Sequence, residues 1–136
     1  MESDKTIVLR AFNKQLFDFF DDFLRIYPNN IEILTAKNAF ETFKSFNPTS
    51  IIKVWFSHVY EPYREKIEAG DVSFFAEKDY SVELQTNQVS NLSKVLLMID
   101  NLREPIKNMD DVNKAHSAKH IRNLSRLSEA YATLSQ

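Results

Sequence analysis

At 136 residues, with 43% apolar and 26% charged side chains, the chain is sized for one globular domain spanning 1–136, and wholesale disorder or a collagen-like fibre is excluded. Its net charge of -2 gives no bulk attraction to nucleic acid or an acidic membrane, and the lack of cysteine removes disulfides, thiolate metal sites and thiol nucleophiles. The single glycine, Gly70, excludes the Gly-rich phosphate loops of dinucleotide and P-loop sites and argues against a fold of many hairpins.

Residues 7–27 set Phe12, Leu16, Phe19, Phe20, Phe23 and Ile26 at helical spacing against Lys14, Asp18, Asp21, Asp22 and Arg25. That pattern predicts an amphipathic helix, ended by Pro28. Asn29 with Glu32 three positions on reads as a capping box for a second helix, whose stripe is Ala36, Ala39, Phe40 and Phe43 and which stops near Phe46, ahead of Pro48. Thr49 or Ser50 then caps a third segment holding Ile51, Ile52, Trp55, Phe56 and Val59. Pro62 kinks or restarts it, and Gly70 is placed to end it in the left-handed conformation. Over 71–90 the periodicity weakens to a short helix and then a loop. Leu92, Val95, Leu96, Ile99 and Leu102 restore a stripe that ends before Pro105. Asp110 or Asp111 caps a last helix, in which Ile121, Leu124, Leu127, Tyr131 and Leu134 form a narrow seam. The expected fold is all-α, a single compact domain of five or six amphipathic helices, with Trp55, Phe12, Phe19, Phe23, Phe40, Leu96 and Leu124 in one core.

No apolar run reaches the roughly 18–20 residues of a membrane span, and Met1 is followed by Glu2, Ser3 and Asp4 rather than by a secretory signal. The expectation is a protein neither inserted nor exported. His116 and His120, four apart on a helix, share a face on which two imidazoles can reach one metal ion, but no third ligand accompanies them, so no metal or cofactor site is expected. His58 reads as a packed or surface histidine. Asp18, Asp21 and Asp22 form an acidic stripe, suited to solvent or to a basic partner. Lys114, Lys119, Arg122 and Arg126 give the last helix a basic side, and Lys119, Arg122 and Arg126 are the candidates for phosphate contact if the chain binds nucleic acid. Eleven phenylalanines, five tyrosines and one tryptophan exceed what one small core readily encloses. Phe17, Tyr60, Phe74, Phe75 and Tyr80 lie off the main stripes or in the irregular stretch. Phe74, Phe75 and Tyr80 are therefore the expected protein-binding residues, and a contact role is favoured over catalysis.

The run Ile52, Lys53, Trp55, Pro62, Tyr63, Ile67, Glu68, Gly70, Asp71, Phe74, Phe75, Lys78, Asp79 and Tyr80 resembles a signature of small proteins of giant nucleocytoplasmic DNA viruses. A second block is similar to it: Leu102 to Met109, then Asn113, Lys114, Ile121, Asn123, Leu124, Leu127, Ser128 and Tyr131. With the first helix and Thr35, Ala36 and Lys37, the resemblance spans most of the chain and is weakest over 85–91. It implies a viral protein located in the virion or the host cytoplasm, a minor capsid component that cements or scaffolds major capsid subunits or binds copies of itself. It carries over no enzymatic residue.

Overall fold

The computed structural model describes residues 3–77 and 91–135. Helix α1 is Asp4–Ile26, opened by Ser3, whose hydroxyl accepts from the Thr6 amide. Helix α2 is Ile31–Phe46 and is capped by Asn30, whose Oδ1 accepts from Ile33 N at 3.0 Å, one residue later than the Asn29 capping box expected from sequence. Helix α3, Ser50–Val54, runs without a break into a π-helical turn, Trp55–Tyr60, and then into α4, Glu61–Glu68. Pro62 explains the change of winding. It has no N–H to give the His58 carbonyl, the Glu61 amide reaches back to Phe56 instead, and Tyr63 leaves helical geometry at φ -127°, ψ 26°.

Gly70 ends α4 as expected, with φ +77°. The Gly70 amide bonds the Ile67 carbonyl and the Asp71 amide the Lys66 carbonyl, a Schellman closure that needs the left-handed residue. Asp71 then accepts from both the amide and the hydroxyl of Ser73, which starts α5, Ser73–Glu77. The loop expected after that helix lies outside the described residues. Helix α6 is Asn91–Asp100, and α7 is Arg103–Lys107. Pro105 therefore sits inside the first turn of α7, where a missing N–H costs nothing, rather than only beyond a helix end. Asp110 caps α8, Asp111–Leu134, by accepting from Asn113 N at 2.8 Å.

The expected all-α fold of five or six helices is what the structure shows: among the described residues α3, the π turn and α4 run on as one, which with α1, α2, α6 and α8 makes five long helical segments beside the five-residue α5 and α7, and there is no strand. Helices α1 and α8 make the most extensive pairing. Lys5 lies over the Tyr131 ring at one end while Phe19 stacks on His120 further along, so the two run antiparallel. Every helix contributes to one hydrophobic cluster, and Trp55, Phe12, Phe19, Phe23, Phe40, Leu96 and Leu124 are all in it. Trp55 is central: Phe12 meets it edge-on at 6.2 Å and Phe75 lies 6.5 Å away. Its indole N–H donates to Ser125 Oγ at 2.9 Å, a buried bond between the π turn and α8.

The packing of α5 corrects one expectation from sequence. Phe74 and Phe75 are buried, not displayed. Phe74 stacks on Tyr63 at 4.7 Å and meets Phe75 edge-on at 6.0 Å, so the two rings close the core over Trp55. Tyr60 is buried too, and of the described off-stripe aromatics Phe17 is the one on the surface, beneath the Lys37 ammonium. Tyr80 lies outside the described residues. Phe75→Ala is expected to cost about 3–5 kcal/mol, as truncation of a fully packed phenylalanine does, and to lower the urea midpoint without changing the slope of the transition. An unchanged midpoint would return Phe75 to the surface.

Candidate functional site

Three clusters hold the residues with chemical potential. The first is on the α1–α8 pair. The Gln15 amide donates to His120 Nδ1 at 2.7 Å, and His120 Nε2 lies 3.2 Å from Asp22 Oδ2. An accepting Nδ1 puts the ring proton on Nε2, facing Asp22. An Asp–His pair is the orienting half of a nucleophilic triad, but here the ring nitrogen that would take a nucleophile's proton is occupied by Gln15. The same bonds remove the metal reading of His116 and His120. Both His120 nitrogens have protein partners, His116 points to solvent, and no group of three or more potential ligands gathers among the described residues. The acidic stripe is likewise paired, Asp18 with Lys14, Asp21 with Lys37, and Asp22 with Arg25 as well as His120.

The second cluster links α4 to α8. Arg126 grips Glu68 with two nitrogens, Nε at 3.3 Å and Nη2 at 2.7 Å, and Arg122 Nη1 lies 3.5 Å from the Glu68 carbonyl. The Tyr60 hydroxyl donates to Glu68 Oε1 at 3.1 Å, and Arg64 lies over the Tyr60 ring and pairs with Glu129. The guanidinium of Arg126 holds the Glu68 carboxyl below the usual carboxylate range, while burial, and then the bond to Glu68, pushes the Tyr60 phenol up. Of the three cations offered for phosphate contact, Arg122 and Arg126 thus face the protein's own α4, where the carbonyl and the carboxylate of Glu68 accept from them. Lys119 is exposed. The basic side of the last helix is largely an internal brace.

The third feature was not singled out from sequence. Between α2 and α6 lies a shallow hollow of about 250 Å³, lined by residues that include Ala39, Thr42, Phe43, Lys94, Leu97 and Met98. A second hollow continues it past Thr42 and Phe43 to Phe46 and Asn47. Leu97 is 51% exposed and Phe46 78%, so a large apolar side chain stands in water on each side. Thr35, Ala39, Thr42 and Phe46 recur at four, three and four along α2, a stripe with no charge, and Lys94 is the charged residue of the lining among the described residues. Phe46 carries a sequence signal, an aromatic in the last turn before Asn47-Pro48, and Leu97 stands beside rather than on its helix's apolar stripe.

Comparison with protein families, with curated proteins and with solved structures finds no match to this chain. No helix among the described residues is long and apolar enough to cross a membrane.

The Glu68 brace has a pH signature. Because the folded carboxyl titrates below its usual value of 4.5, its contribution is complete above that pH and is lost as the pH falls through the depressed value. Chemical denaturation of the parent and of Glu68→Gln should show a stability gap near neutral pH that narrows progressively as the pH falls below 4.5. A gap that stays constant over that range would contradict the ionised brace.

Proposed function

We propose that this protein acts by contact rather than by chemistry: a helical domain that docks on a protein partner through the α2–α6 face, as a cement or scaffold component of a viral capsid. The observation that carries the docking role is the pair Phe46 and Leu97, held in solvent on either side of a hollow with an apolar floor of Ala39, Phe43 and Met98. Leaving a large apolar side chain in water forfeits about 1.5–3 kcal/mol that burial would return, and aromatic residues at a desolvated centre are common binding anchors. Lys94 supplies the only charge lining the hollow among the described residues, so the surface it fits is apolar with a carboxylate. The capsid setting rests on the resemblance of the 52–80 and 102–131 blocks to small proteins of giant DNA viruses, and the partner it names is the major capsid protein.

The alternative of a nucleic-acid accessory protein has less support, because Arg122 and Arg126 are drawn onto Glu68 and Lys119 is left to act alone. Phe46→Ser with Leu97→Ser is the informative variant, since exposed substitutions seldom move stability by more than about 0.5 kcal/mol. Mass spectrometry of purified particles should find the parent, and find the variant reduced about tenfold, the loss expected from about 1.4 kcal/mol of binding. Equal incorporation would remove this face from the contact. Absence of the parent from particles, or retention on duplex DNA that falls steeply with salt, would overturn the capsid reading.

A further inference from the structure

A separate, polar hollow shares no lining residue with the docking face, although its Thr49 follows Asn47 by two positions. It has a volume of about 280 Å³ and is lined by Ser3, Lys5, Thr6, Leu9, Thr49 and Tyr131. Three features of this lining are chemical. Tyr131 is only 5% exposed, yet its hydroxyl has no hydrogen-bond partner among the described residues, and a buried O–H left unpaired is costly. Thr49 stands at the cap position of α3 but makes no capping bond with its side chain, so a second hydroxyl at the same hollow is unspent. The Lys5 ammonium lies 5.1 Å from the centre of the Tyr131 ring, which sets a full positive charge on the hollow's wall.

Among the described residues no carboxylate lines the hollow, and Asp4, next to Lys5 in the chain, is not among its walls. The first turn of α1 adds its positive end, where Ser3 meets the Thr6 and Ile7 amides and leaves those of Asp4 and Lys5 without an intrahelical partner. Hydroxyl donors, an ammonium and a helix N-terminus are the donor set of an oxyanion site. We propose that this hollow binds a phosphate group, as inorganic phosphate or a small phosphate monoester, with Lys5 supplying charge and the Tyr131 and Thr49 hydroxyls donating to its oxygens.

The site is tested by isothermal titration at constant ionic strength, with inorganic phosphate and phenyl phosphate as the two probes and chloride as the control. Binding of phosphate identifies the free anion as sufficient, and binding of phenyl phosphate alone shows that the substituent is needed; either supports the site. Tyr131→Phe removes one oxygen from the hollow and Lys5→Gln removes its charge, and each should weaken binding about tenfold, the usual cost of one charge-assisted bond. Circular dichroism confirms that each variant is folded, and Thr49→Val provides a second hydroxyl deletion if Tyr131→Phe is not. No binding of either probe, or binding that these variants leave unchanged, overturns the proposal. Neither result bears on the α2–α6 face, whose residues lie on other helices.

Discussion

The fold depends on bringing one polar N–H into its driest region. Trp55 is completely buried, and its indole N–H would cost about 1–3 kcal/mol if left unpaired. Ser125 meets it at 2.9 Å from a position 70 residues away in the chain. A serine is required twice over: its hydroxyl accepts the bond, and its small side chain lets α8 approach the π turn. Ser128 extends the arrangement by donating to the Ser125 carbonyl at 2.7 Å, and Ser117 is buried on the same helix. Once α8 is seated on the π turn its neighbouring stripe of Ile121, Leu124 and Tyr131 enters the core, in which α1 is its main partner.

The winding change before Pro62 makes this contact compatible with the Glu68 brace. Trp55 and Tyr60, at opposite ends of the π turn, are both buried, and both hydrogen-bond: Trp55 to α8, and Tyr60 to Glu68, which Arg126 of α8 also holds. One helix is thus tied to the kinked segment by a buried neutral bond and by a more exposed ionic one. The two serve different ends. The first specifies register within the core, and the second satisfies the C-terminal end of α4 while neutralising cations that sequence alone offers to a phosphate backbone. With the aromatics of α5 folded over Trp55, the surplus of rings that suggested a contact surface is mostly absorbed, and the large apolar groups left outside are spread over α1, α2, α6 and α8, with Phe46 of α2 the most exposed of them among the described residues.

What was legible in the sequence was local. The stripes of α1, α2, α6 and α8 repeat over enough turns to show their period, and Gly70, Pro62 and Asp110 act within a few residues of themselves. The burial of Phe74 and Phe75 is not legible because α5 has only five residues, too few for a period to separate a core face from a displayed one. The cap of α2 moved from Asn29 to Asn30 because two adjacent asparagines offer the same oxygen, and chain direction after Pro28 decides between them. The brace and the Trp55 bond were illegible for a different reason. Glu68 lies 58 residues from Arg126, and no spacing rule connects positions that only tertiary packing brings together. His120 was read as a possible ligand for the same reason, since its partners Gln15 and Asp22 are on the other end of the chain.

The chain contains one tryptophan, so its indole N–H gives a single resonance that reports directly on this central contact. Hydrogen exchange of that proton, followed by nuclear magnetic resonance, measures the free energy needed to expose it. If the Trp55–Ser125 bond anchors the core, exchange requires global unfolding, and the exchange free energy equals the unfolding free energy from denaturation. Exchange at the rate of a solvent-exposed indole under native conditions would contradict the account.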